Sequence, residues 1–452
     1  MMRPKLLDQG IAPVPPGLRQ LGPLDNFVLW ASLSVGLLVL VTGSFLVPAL
    51  GVGDAFGAIA VGSSLGGLIL GLTAWLGART RVPGMVLLRA PLGFHGSFAP
   101  TLVNVAQNFG WTVFEVIIIS QAAHAAVGGS TAIWTVVATG VVIALAVGGP
   151  LVVVRRVLRA VGVPVVILAG VYLTIWSATR LHWHVANHGR GGLTFWLGVD
   201  LAVAVPISWA PLVADYARFA RTARGALLGT ALGTTFANAW FYILGAAAVL
   251  IGAADPAFGL KPTVGVLVLG LLALAESDKP FADLYSTVVS IQNLRPRWPA
   301  PLLAAVVGLA VGAVALAVSL TDYETFLFLL GSCFVPLAGV LLGHALRSGG
   351  YEVEELYALN GRYGAVNPWT LGAWLVGFAV YQWIAPTPLH AWLRFVDWVE
   401  TGLHVAAPPT ALAQFGASIP SFLIAGGLAV LVAQLPPIHS AAVRAEPLTV
   451  GE

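Results

Sequence analysis

Apolar residues run in blocks of about twenty along this chain, separated by short stretches rich in glycine, proline and arginine. A helix needs about 20 residues to cross a hydrocarbon core about 30 Å thick, so each block predicts one membrane-spanning helix. There are twelve blocks, at 27–50, 55–78, 98–126, 131–150, 160–178, 193–217, 223–252, 264–292, 300–320, 324–345, 369–389 and 416–436. The first follows a polar segment, 1–26, and is too long for a cleavable signal, so it reads as a permanent span. A polar tail, 437–452, follows the last.

Composition agrees, with 58% hydrophobic and 9% charged residues where soluble domains carry about 25% charged. The net charge of +3 sits in loops. With the N-terminus in the cytoplasm, seventeen of the 22 Lys and Arg fall on that side, while Arg180, Arg190, Lys261 and Arg394 fall outside and Lys279 lies within a span. This asymmetry predicts a multi-pass plasma-membrane protein with both termini cytoplasmic, and it concerns orientation and not nucleic acid. The single cysteine, Cys333, lies in an apolar run, which excludes an internal disulfide framework. No HExxH, paired-Asp or GxSxG motif stands at a membrane boundary, so the chain does not read as an enzyme. His182, His184 and His188 read as a solvated cluster and not as metal ligands.

The eighth block breaks the pattern. Its apolar part, 264–275, has 12 residues and reaches only about 18 Å, so the span must continue through AESDKPFADLYS to about Gln292. At least some of Glu276, Asp278, Lys279 and Asp283 therefore lie at membrane depth. Helical spacing puts Glu276, Lys279 and Asp283 on one face, with Lys279 and Asp283 four apart and able to pair, and turns Ser277 and Asp278 elsewhere. Pro280 loosens the backbone and frees carbonyls. One face suits an organic substrate and the other a small cation; an internal salt bridge bracing the bundle is the competing reading.

In the third block Gln107, Trp111 and Glu115 fall within about 80° of one another, a stripe of amide, indole and carboxyl. Such a stripe can stack on and hydrogen-bond a planar ligand, though a structural Trp beside a helix-pairing Glu has the same spacing. The first block is interrupted by Gly36 and Gly43, and the sixth by Pro206 and Pro211. These two helices run in opposite directions, and paired interruptions of that kind point to an inverted-repeat transporter with a midplane site. Asp215, followed by Arg218, Arg221 and Arg224, marks a border with an anchoring or gating role.

Four segments in order, GPLDNFVLWASLSVG, GWTVFE, ISWAPLVADYARF and KPFADLYS, resemble the nucleobase:cation symporter-1 family of purine, pyrimidine, hydantoin and allantoin permeases. The resemblance covers about 20–436 and looks most like the cytosine permease and hydroxymethylpyrimidine transporter branches. It implies an all-α, leucine-transporter-type five-plus-five inverted repeat, with repeats at 27–178 and 193–345 and two additional spans within 369–436. It also implies alternating access by a monomer importing a pyrimidine-like base with Na+ or H+, with no cofactor beyond the coupling ion. A purine, allantoin, hydantoin or amino-acid-like substrate is the alternative.

Carried onto this sequence, the resemblance implies that Trp111 stacks the ring, Glu115 hydrogen-bonds it, and Lys279 and Asp283 supply polar contacts beside Gly36. Gln107 joins this set from its own stripe. The implied cation site joins carbonyls of Ser32, Val35 and Leu274 to the positions of Ser277 and Asp278. Three departures stand out. Pro206 replaces a second stacking aromatic, leaving Trp209 or Ser208 to serve; Lys279 and Asp283 replace amides; Asp278 replaces a hydroxyl.

Overall fold

The computed structural model describes residues 10–148, 163–180, 189–252, 276, 278–318 and 323–439. The first span is two helices, α1 (Pro23–Leu33) and α2 (Leu37–Phe45), bent by 63°. After α3 (Val52–Thr80), two short helices, α4 (Gly84–Leu87) and α5 (Arg89–Leu92), precede α6 (Phe98–Val127). α7 (Thr131–Gly148) and α8 (Val163–Ala178) follow. The sixth span is again split, into α9 (Phe195–Ser208) and α10 (Ala210–Ala217). The remainder is α11 (Ala223–Leu250), α12 (Asp278–Leu294), α13 (Ala300–Ala315), α14 (Tyr323–Ser348), α15 (Pro368–Ile384), α16 (His390–Leu403), α17 (Thr410–Ala413) and α18 (Ser418–Val432).

Each of the twelve predicted blocks thus contains helix, and the described residues hold no strand beyond two isolated bridges, Leu21 with Ala220 and Val366 with Ile438. By length and apolarity alone, α3, α6, α11 and Thr325–Ser348 of α14 can cross a membrane unbroken, and α1 with α2 makes a bent span. Leu274, Ser277 and the three loop histidines lie outside the described residues, as does the first part of the eighth span.

The spans pack closely where side chains are smallest. A Cβ on Gly43 of α2 would lie 2.2 Å from the Tyr242 carbonyl oxygen on α11, and one on Gly245 would lie 2.0 Å from that of Leu40. Backbone meets backbone from both directions, which holds α2 against α11 without large side chains. A carboxylate fixes the last span. Asp200 of α9 accepts from the Ala417 and Ser418 N–H groups, at 2.6 and 3.0 Å, and so neutralises the positive end of α18.

One end of the bundle is sealed by the N-terminal segment. Leu21 N–H donates to Phe219 and its carbonyl accepts from Arg221, while Val14 N–H donates to the Arg81 carbonyl. Arg218, fully buried, donates to the Gly10 carbonyl at 2.8 Å and to the Tyr285 hydroxyl at 2.8 Å. The Tyr357 hydroxyl donates to Ile11. Asp215 accepts from Gly84 N–H and from Ser286, which ties this border to α4 and α12.

Arg89 closes the same end. Its guanidinium donates to Asn293 Oδ1 at 2.7 and 3.0 Å and to the Leu356 carbonyl at 3.1 Å. Burial pulls its pKa down to about 10, against an opposing pull from Tyr357, so it stays charged at neutral pH. Arg89→Ala is expected to destabilise the fold by about 3 kcal/mol, because two buried acceptors lose a charged donor. The thermal midpoint in detergent measures this; an unchanged midpoint would show the contact to be idle.

Candidate substrate and cation site

The site begins at the break in the first span. α1 ends as Ser34 and Val35 N–H turn back to Trp30 and Ser32, and Gly36 then takes φ 150° and ψ −176°, a region open to glycine alone. The first N–H of α2, on Leu37, donates to Glu276 Oε2 at 3.0 Å. That oxygen also meets Lys279 Nζ at 3.1 Å. A Cβ on Gly36 would lie 2.1 Å from it, so the ion pair fills the space that glycine leaves.

This arrangement answers why charges sit in the eighth span. Glu276 is a carboxylate at the positive end of a half-helix, and Lys279 balances it. Lys279 forms an ion pair with Glu276, three residues before it, and its charge also acts on Asp283, four residues after it. Glu276 is held in place by Leu37, and the two Asp283 oxygens have no hydrogen-bond partner among the described residues.

The break in the sixth span lies between Ser208 and Ala210, where Pro206 and Pro211 each remove an amide donor. Gln107 of α6 donates to the freed Ser208 carbonyl at 2.9 Å and to Asn104 Oδ1 at 2.8 Å. The Ser208 hydroxyl turns back to Val205. Trp209 meets Trp30 edge-on at 6.0 Å, while Trp111 meets Phe326 of α14 edge-on at 5.3 Å. Thus Gly36, Glu276 and Lys279 come together, as do Glu115 with Asp283 and Gln107 with Ser208. Gly36 is buried and none of the other residues is more than 5% exposed, so a ligand can reach them only if an element moves.

Of the expected cation ligands, Ser32 and Val35 lie at the break and Asp278 opens α12. Phe326 was absent from the set of contacts that the sequence suggests, and Glu276 was placed on the polar face without a contact of its own. Glu276 was visible as a face-mate of Lys279, whereas nothing in the sequence around Phe326 marks it.

Residues 13–406 match the sequence model of a family described as permeases for cytosine/purines, uracil, thiamine and allantoin. The chain belongs to this family. Among similar proteins of the nucleobase:cation symporters, a cytosine permease of Escherichia coli (strain K12) is 26% identical over 369 residues, covering 76% of this chain and 81% of its own. A hydantoin permease of Microbacterium maritypicum is 23% identical over 415 residues, covering 83% and 84%. A solved nucleobase-cation-symport-1 family transporter, in a closed conformation with bromovinylhydantoin bound, superposes with a TM-score of 0.77 at 20% identity, covering 97% of this chain and 98% of that one. The fold is therefore the polytopic, leucine-transporter-type arrangement of these symporters. The relatives are permeases, and the chain is a transporter and not an enzyme.

Proposed function

We propose that the chain imports a planar pyrimidine-like base, cytosine or hydroxymethylpyrimidine, by alternating access across the plasma membrane, with both termini cytoplasmic and the monomer as the working unit. The observation that carries this reading is the Gln107 to Ser208 hydrogen bond, which lays the aromatic and polar stripe of α6 across the broken sixth span. Trp111 stacks the ring. Gln107 Oε1, buried without a partner among the described residues, accepts from an exocyclic amine. Glu115 and Asp283, both buried carboxyls, read ring nitrogens. Trp209, beside the break, closes the site.

The coupling ion is Na+ or H+. Ser32, Val35, Leu274, Ser277 and Asp278 would hold Na+, with oxygen ligands suited to a hard cation. A specific observation favours H+, since Glu115 and Asp283 are carboxyls only 1% exposed, and both Asp283 oxygens lack a hydrogen-bond partner among the described residues. Coupling requires that ion and substrate favour one shared state. In proteoliposomes, labelled cytosine uptake is expected to follow an imposed pH gradient. Uptake driven by sodium at fixed pH and indifferent to a proton gradient would overturn proton coupling, and a ligand panel with no pyrimidine hit would overturn the substrate class.

A further inference from the structure

We propose that Glu276 is the specificity-determining residue of the substrate site, a built-in carboxylate that selects neutral or cationic, donor-bearing heterocycles and rejects carboxylated ones. This rests on the placement of the site given under the proposed function. The exposed N–H groups of a broken helix attract anions, and in transporters of this architecture they can hold a substrate's carboxylate. Here the chain supplies that anion itself. Glu276 Oε2 takes the Leu37 N–H at 3.0 Å and the Lys279 ammonium at 3.1 Å.

The other oxygen is the second observation. Glu276 is 0% exposed, and its Oε1 has no hydrogen-bond partner among the described residues. A buried carboxylate oxygen left in this state is an acceptor for a ligand N–H. Gly36 completes the arrangement, because its missing Cβ gives the carboxylate its close approach to the backbone. Lys279 cancels the charge of Glu276, so the pair adds no net anion. A ligand carboxylate arriving at the α2 N-terminus meets the Glu276 carboxylate already on the Leu37 N–H and on Lys279.

Two measurements on the purified full chain test this. Cytosine and 5-carboxycytosine share a ring and differ by one carboxylate. The wild-type protein is expected to bind 5-carboxycytosine at least 100-fold more weakly, and Glu276→Gln to narrow that ratio at least tenfold. An unchanged ratio in Glu276→Gln overturns the proposal. Glu276→Gly reads the same site without a heterocycle. It leaves the α2 N-terminus and Lys279 facing a space, so tens of millimolar formate or acetate should raise its thermal midpoint by several degrees and leave the wild type unmoved. No selective shift overturns the proposal. Should Glu276→Gly fold only when formate or acetate is present, that rescue supports it. If the wild type binds neither ring, the proposed substrate class fails, and the formate and acetate response still decides the role of Glu276.

Discussion

Trp111→Ala is expected to abolish measurable uptake and to weaken binding of a planar base by one to two orders of magnitude. Stacking of a base on an aromatic side chain is worth about 1–3 kcal/mol, which is roughly a 5- to 150-fold change in affinity. Trp111 sits one turn from Gln107 and one turn from Glu115, and its ring is braced edge-on by Phe326. The substitution also leaves a void, so lost affinity needs separating from lost fold. Trp111→Phe keeps a ring face and Trp111→Leu keeps apolar bulk without one. Binding should survive in the first and fail in the second, with both proteins folded. Equal affinity in Leu and Phe variants would remove Trp111 from the substrate site.

The second large effect is at Gly36. Gly36→Ala is expected to destabilise the fold by about 3 kcal/mol and to eliminate transport. Its backbone region is closed to side chains, and forcing one there costs about 1–3 kcal/mol. The new methyl would also stand 2.1 Å from Glu276 Oε2 and 2.5 Å from Lys279 Nζ. Both atoms end flexible side chains and can retreat. The retreat carries the carboxylate away from Leu37, leaving a buried amide without its acceptor. Thermal midpoint and uptake together report the outcome. A variant with wild-type values in both would mean that the first span does not depend on the pair to hold its break.

Much of this was legible in the sequence for one reason: a bilayer demands apolar runs of about twenty residues, and it tolerates interruptions only where protein or a cavity receives the freed backbone. The twelve spans and the breaks at Gly36 and Pro206 follow from those demands. The anchoring of Glu276 did not, since its carboxylate is held by the Leu37 N–H, 239 residues away in the chain. Asp200 was silent for the same reason, since its partners at 417 and 418 come from the far end of the chain. α16 escaped because it is a 14-residue helix that buries none of its residues, too short and too polar for a search based on apolar length.

The N-terminal segment over the bundle end has a consequence for leakage. Gly10, Ile11, Val14 and Leu21 are held by Arg218, Tyr357, Arg81 and the 219–221 turn, groups that belong to separate parts of the chain. A passage through this end has to release most of these bonds in one event, because each helps to position the next. If transport is coupled to an ion gradient as proposed, a segment tied down at several points at once is suited to act as a seal between turnovers.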